Sequence, residues 1–487
     1  MKLLSSILFI SILAVSSAIG QNKVQLSIDQ FVHYQGLEQA SISFQVLDLE
    51  TGKSVASHDP NRTMATASTA KLFSTATALE ILGENYRPKT RVYADGDIDS
   101  TGALMGNIWI RGGGDPSLGS KYFTNKPNRR DFLKTWADSL LAKGIYAING
   151  SVIGDASEFG YKGAPDGWSW VDMGNYYGAG PSGLSIFDNL VEFKFKVPNT
   201  LGATSKISSI SPAVPNMTFH NYVKSSSRTG DNAYFYGAPY SLDRFVTGEL
   251  PRGSSAFVVK GSLPDPEYQF AYEFAQVLQE KGIKVLGEIK TARSMEVASS
   301  NKTYAQRNLL ITHKGQSIGR LIDKTNERSI NLFAEHLTCL VGYVKNGNGS
   351  TDSGLREVEK YWATKFTTTG MHVNDGSGLS RMNAISANHF TGLLRTVRNG
   401  KNGTRFNASL PVAGVSGTMR NICKGQPAHN RMSAKSGSMT RIKSYAGYIK
   451  STSGKQYVFA LIVNNQSCSS RVLINKMEVI FNKIATL

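Results

Sequence analysis

The stretch TASTAKLFSTATALEILG, starting at Thr66, carries a hydroxyl and an amine three residues apart, Ser68 and Lys71. Leu72, Ala76, Leu79 and Leu82 recur at helical spacing and Gly83 supplies a stop, so the stretch predicts a helix. Residues three apart on a helix share a face, which sets the serine beside the lysine. A serine hydroxyl is a poor nucleophile until a base takes its proton. A neutral lysine amine is such a base, and burial or a second cation nearby favours the neutral form.

Ser-x-x-Lys alone is a common chance pattern, but three further stretches give it weight. Ser329-Ile330-Asn331 stands at a predicted helix start and by itself reads as a serine N-cap. NDGSGLSRMN, containing Asp375 to Asn383, is by itself a glycine-rich turn cluster. AKSGSMTRIKSYAGY presents Lys435-Ser436-Gly437-Ser438 in an extended segment, and Lys435 is the cation that a neutral Lys71 calls for. GGGDPSL, Gly112 to Leu118, reads as a tight turn rather than a phosphate cradle, because no Gly-Lys-Ser/Thr and no suitable helix follow it. There is no His-Glu-x-x-His, and the eight histidines show no ligand spacing. Neither a metal nor a cofactor is expected.

The four motifs in this order, with GGGDPSL and GWSWVDMGNYYGAGPSGLSIFDN, resemble the class C low-molecular-mass penicillin-binding proteins. These are D-alanyl-D-alanine carboxypeptidases and endopeptidases, and the resemblance covers essentially the whole mature chain. It implies an α/β (α+β) penicilloyl serine transferase domain of the β-lactamase/transpeptidase type. It also implies that Ser68 attacks the carbonyl between two D-alanines and that Lys71 takes its proton. Ser329 would relay that proton to the leaving group, and Asn331 would hold the substrate amide and Lys71. The backbone N–H groups of Ser68 and Ser438 would hold the oxyanion, with Lys435, Ser436, Gly437 and Ser438 around the terminal carboxylate. Trp170, Asp172, Tyr177, Arg381 and Met439 would line a pocket for the stem peptide's diamino acid. Partners would be peptidoglycan stem peptides, with β-lactam antibiotics as covalent inhibitors.

The chain departs from the family's usual Lys-Thr-Gly-Thr at Ser436 and Ser438, where serine keeps both hydroxyls. A β-lactamase on the same scaffold is a second reading, opposed by the long interruption and by Ser329 where a tyrosine would stand. A catalytically weak cell-wall-binding relative is a third, opposed by the intact motifs. Release of D-alanine from a pentapeptide separates the first two, and labelling by penicillin separates both from the third.

The elements that must position these residues follow from the pattern. Val24 to Ser57 reads as strand-like, with a hairpin turning at Thr51-Gly52. DPEYQFAYEFAQVLQEKGIKV predicts a helix ending at Gly282 before a strand at Ile283 to Val285. Gln316 to Val344 reads as helices, Ser444 to Asn465 as a hairpin turning at Ser453-Gly454, and the last helix buries Leu473, Met477, Ile480, Phe481 and Ile484. The expected division is a signal peptide at 1–20, a transpeptidase-like domain at 21–89 and 303–487, and an inserted β-rich region at 90–302. Within the insertion, 90–168 and 262–302 would form one domain and 169–261 a nested one.

At 487 residues, two or three domains are expected. Lys2 followed by the apolar run Leu3 to Val15 and small residues up to Gly20 reads as a secretory signal cleaved before Gln21. That predicts export to the periplasm or cell envelope, with at most peripheral membrane contact. The net charge of +18 favours anionic partners. No nucleic-acid-binding motif accompanies it, so an acidic envelope polymer fits better than nucleic acid. Of the three cysteines, Cys339 reads as a core residue, and Cys423 and Cys468 are expected to pair across one end of a sheet.

Overall fold

The computed structural model describes residues 23–296 and 301–487, so the expected signal peptide lies outside the described residues. Two compact units divide the chain. The first combines the chain up to Glu80 with Ile322–Ile330 and Val358–Leu487, and the second combines Ile81–Leu321 with Asn331–Glu357.

The first unit is built on a five-stranded antiparallel sheet. Its order is Met432–Met439, Ile442–Lys450, Gln456–Asn464, Ser41–Asp48, Ser54–His58. Alternation sends one set of side chains to each face. Phe44, Val46, Tyr445, Phe459 and Leu461 pack with Leu473, Met477, Ile480, Phe481 and Ile484 of the helix Ser470–Ala485. Those five helical positions are the ones the sequence assigned to its buried face, and all are fully buried. The other face carries the helix Ala387–Asn399, tied on by Tyr448 donating to the Leu394 carbonyl at 2.7 Å and by the Ala387 N–H donating to Ser43 Oγ at 3.1 Å. The turns at Gly52 (φ +72°) and Gly454 (φ +90°) close the two expected hairpins.

One element departs from expectation. Residues 23–32 are helical rather than strand-like. Val24, Ile28 and Phe31 are spaced four and three apart and buried into the same core as the last helix, so helical period outweighs the β-branched composition.

The helix expected at Ser68 begins as a 3₁₀ turn, Ala67–Ala70, and continues as Lys71–Leu82, with Gly83 at φ +78° beyond it. It is buried on all sides from Lys71 to Leu79 rather than on one stripe. Phe73 meets Phe390 at 5.5 Å between ring centroids, and Trp362 Nε1 donates to Thr77 Oγ1 at 2.8 Å.

In the second unit, a mixed five-stranded sheet runs Ile289–Thr291, Val152–Asp155, Ile108–Arg111, Lys89–Ala94, Asn308–Lys314. The helices Asp131–Leu141 and Pro266–Glu280 share a core in which Trp136 lies 5.8 Å from Phe270. Asp265 caps the latter by accepting the Tyr268 N–H at 3.0 Å, and Gly282 ends it as expected. Two further sheets lie within residues 190–262, joined by the Phe193 ring, which stacks on Phe219 and tilts against Phe235. The GGGDPSL stretch is a close chain crossing: a Cβ at Gly112 would fall 2.1 Å from the Gly183 carbonyl oxygen, and Gly114 has φ +78°. The helix Asn331–Asn346 belongs to this unit, through His336 bonded to Ser185 Oγ and the Gly114 carbonyl, each at 3.0 Å. Among the described residues, no helix is long and apolar enough to cross a membrane.

Candidate active site

Ser68 sits at the second position of its helical run, where a backbone N–H has no partner within the helix. The residue before it, Ala67, is held at φ +47°, a conformation non-glycine residues avoid and which clusters at functional sites. Lys71, with no exposed surface, directs Nζ to Ser68 Oγ at 2.9 Å and to the Ser377 carbonyl at 2.7 Å. A buried lysine held by a hydroxyl and a carbonyl is a group that can exchange a proton with that hydroxyl.

The Ser377 carbonyl is aimed by a buried hub. Asp375 accepts the N–H groups of Gly378 (2.8 Å) and Ser380 (2.7 Å) and the Asn383 amide (2.7 Å). Gly378 is obligatory in this loop: at φ +80°, a Cβ there would stand 1.9 Å from the Ala67 carbonyl oxygen. The loop was singled out in the sequence, but neither Ser377 nor Asp375 was. An aspartate ahead of Gly-Ser-Gly is the signal that points to such a hub.

Lys435 is also fully buried, donating to Ser329 Oγ at 2.8 Å and to the Ser436 carbonyl at 2.7 Å. Burial, the charge of Lys71 and then that of Lys443 hold its ammonium well below the usual lysine range. Ser329 has φ +58°, a non-helical residue between the helices Ile318–Arg328 and Asn331–Asn346.

The strand carrying Lys435 to Met439 is at the sheet edge. Its outer side is taken near Ala434, whose N–H reaches the Pro411 carbonyl at 3.0 Å. Backbone groups alternate along a strand, so the N–H groups of Ser436 and Ser438 point to that same open edge. Gly437 lets the strand press on the Ser68 turn, since a Cβ would meet Ser444 Oγ at 2.2 Å and the Thr66 carbonyl at 2.5 Å. Ser444 in turn donates to that carbonyl at 2.6 Å. Ser436 Oγ donates to Thr418 Oγ1 at 2.9 Å, and both side chains are accessible. Thr418, in the 3₁₀ turn Gly417–Met419, went unnoticed in the sequence because a lone threonine carries no signal.

Of the residues expected to bind the substrate's side chain, Trp170, Asp172 and Tyr177 belong to the second unit and Arg381 and Met439 to the first. In the second, Tyr177 donates its hydroxyl to Asp172, and burial together with that carboxylate raises its pKa. Asn331 donates its amide to the Tyr177 carbonyl at 2.7 Å. Trp170 is 50% exposed, 6.1 Å from Tyr236 between ring centroids. In the first, Arg381 is exposed and reaches the Thr440 carbonyl only at 3.5 Å, and Met439 is half-buried.

The expected disulfide is not formed: Cys423 and Cys468 are both free thiols, as is Cys339. The Lys435 strand is first of three antiparallel strands, and Cys468 follows the third. The start of the first and the end of the third fall at opposite ends of a sheet. Cys423 lies beside Glu478, which accepts its N–H at 3.0 Å two turns into the last helix, whereas Cys468 precedes that helix. At ~1.5 Å per helical residue that separation exceeds disulfide reach.

The D-Ala-D-Ala carboxypeptidase 3 (S13) family profile matches residues 24–484. A D-alanyl-D-alanine carboxypeptidase of Actinomadura sp. is 26% identical over 93% of this chain and 84% of its own length. D-alanyl-D-alanine carboxypeptidase DacB of Haemophilus influenzae is 23% identical over 88% of this chain and 86% of its own. The crystal structure of penicillin binding protein 4 (dacB) from Haemophilus influenzae superposes with a TM-score of 0.80 at 21% identity, covering 96% of this chain and 99% of that one. Its complex with a novel β-lactam gives 0.73 at 19% identity, covering 92% and 97%. These likenesses establish a shared mixed α/β fold.

Proposed function

We propose, for a chain that belongs to the D-Ala-D-Ala carboxypeptidase 3 (S13) family and so is a serine peptidase, that Ser68 is the nucleophile of an exported peptidoglycan DD-peptidase. The observation that carries this is the 2.9 Å contact between Lys71 Nζ and Ser68 Oγ inside a pocket closed to water on the lysine side. Neutral Lys71 takes the Ser68 proton as Oγ attacks the carbonyl between the last two D-alanines. The oxyanion develops against the Ser68 and Ser438 N–H groups, one from an open helix start and one from an open strand edge. Ser329, hydrogen-bonded to Lys435, returns a proton to the leaving amine. The terminal carboxylate is met by the hydroxyls of Ser436 and Ser438 and the Gly437 backbone. A protonated Lys435 favours the same group. Asn331 is assigned to the substrate amide. Water then hydrolyses the ester and regenerates Ser68.

The reading extends to endopeptidase cleavage of D-Ala–diamino-acid cross-links and to acylation by penicillins, supported by family membership and by the β-lactam complex of a relative. Asp172, preset by Tyr177, is assigned to the ammonium of the diamino acid, Arg381 to its carboxylate, and Trp170, Tyr177 and Met439 to its aliphatic stem. Export to the periplasm or envelope rests on the N-terminal 20 residues. The nested block 169–261 is supported by its separate sheets. The test is release of D-alanine from a pentapeptide by the purified protein. Absence of turnover by intact protein that still forms a penicillin adduct would leave the β-lactamase reading in place of the peptidase, and absence of both would leave a binder.

A further inference from the structure

The second unit holds a small open cleft that the chemistry above does not use. Lys121, Lys126, Arg129, Asp188, Glu192 and Ser211 are among its lining. Its charges do not balance. Glu192 is shared by Lys126 at 2.6 Å and Lys260 at 3.9 Å. Asp188 is buried at the cleft wall, where it accepts Ser120 Oγ at 2.5 Å and the Lys121 N–H at 3.1 Å. Among the described residues, Lys121 and Arg129 have no carboxylate within ion-pair distance. Arg129 rests 4.3 Å above the Phe187 ring and donates to Ser211 Oγ at 3.2 Å. Burial lowers the pKa of its guanidinium, so an anion placed there gains more than one in open water.

The wall beneath these cations is strained. Phe187, Asp188 and Asn189 have φ of +54°, +58° and +50°, three consecutive non-glycine residues in the left-handed region. Asn189 locks the turn, accepting the Ile186 N–H at 3.2 Å and donating to the Gly180 carbonyl at 3.1 Å. This turn presents the Phe187 ring to Arg129 and the Asp188 carboxylate to Ser120 and the Lys121 N–H. Such backbone costs persist where neighbouring structure enforces them, and they cluster at ligand clamps.

We propose that this cleft is an exosite for an oxyanion on the envelope polymer, a carboxylate or phosphate repeated along the glycan strand, gripped by Arg129 and Lys121. The identity of the polymer rests on the peptidase reading, but the cleft itself does not. The fork of Arg129 supplies direction and the Lys121 ammonium a second point of charge. The +18 chain would thereby be held on a polyanionic substrate while its active site samples stem peptides.

The probe is isolated peptidoglycan sacculi, native or stripped of phosphate polymers with hydrofluoric acid. The Lys121→Gln/Arg129→Gln variant should bind sacculi about tenfold or more weakly than wild type, with a shallower salt dependence. Its kcat/KM on a soluble pentapeptide should be unchanged. Lys121→Glu, at an exposed side chain, reads the same loss should the double variant fail to fold. Wild-type affinity lost on stripping identifies phosphate, and affinity kept identifies carboxylate; either supports the exosite. Equal sacculus binding by wild type and folded variants overturns it. Wild type that binds sacculi but never cleaves the pentapeptide defeats the peptidase reading and leaves the cleft standing.

Discussion

Lys71 and Lys435 are both sealed from solvent, and each is bonded to a serine hydroxyl. Lys71→Ala should slow penicillin acylation by roughly 10²–10⁴, the range for loss of a positioned general base, measured by stopped-flow labelling. Lys435 carries a separate, thermodynamic signature. Its folded-state pKa lies well below its unfolded value, so the unfolded chain binds more protons across the interval between them. Stability should therefore rise as pH increases through that interval, towards the free lysine value of ~10.4. Lys435→Met should flatten the rise, as read from urea midpoints at several alkaline pH values. Ser68, Lys71, Ser329 and Lys435 were legible because their chemistry needs particular side chains at fixed spacings. Ser377 was not, because it contributes a carbonyl that any residue could supply.

At the scale of elements, the edge strand and the Ser68 turn meet through Gly437, whose missing side chain is the condition for that approach. Gly437→Ala should displace the strand and cut acylation at least as far as loss of one oxyanion donor, about 10²-fold, while the fold survives by circular dichroism. Thr418→Val removes the acceptor of the Ser436 hydroxyl and should lower kcat/KM about five- to tenfold on peptides ending in a free carboxylate. An amidated peptide should be indifferent to it. Helices with a clear apolar stripe were legible, as in Ser470–Ala485, and so were hairpins closed by Gly52 and Gly454. The helix at 23–32 was obscured because its apolar residues are mostly β-branched and a true strand follows at Ser41. The Cys423–Cys468 pairing failed on strand order, which hairpin-by-hairpin reading does not provide. Alkylation of unreduced, denatured protein should therefore label three thiols.

For the whole molecule, the change from hairpin-and-helix texture to short strands and glycine turns near Thr90 led to an expected boundary at 89/90, whereas the two compact units first divide at Glu80/Ile81. The lysines and the arginine that line the cleft had no sequence signal, since Lys121, Lys126 and Arg129 stand outside every motif and meet Phe187 and Asp188 only through the fold. Asp172→Ala should lower kcat/KM about ten- to a hundredfold on a peptide with a free diamino-acid amine, as loss of a charge-assisted contact implies. An N-acylated analogue should lose little, and equal losses on both would make Asp172 structural. The most direct test of the account is mass spectrometry of the whole protein after exposure to penicillin, followed by mapping of the modified peptide. One adduct of the drug's mass on Ser68, absent from folded Ser68→Ala, is the predicted result. An adduct on any other residue, or full labelling of Ser68→Ala, would contradict it.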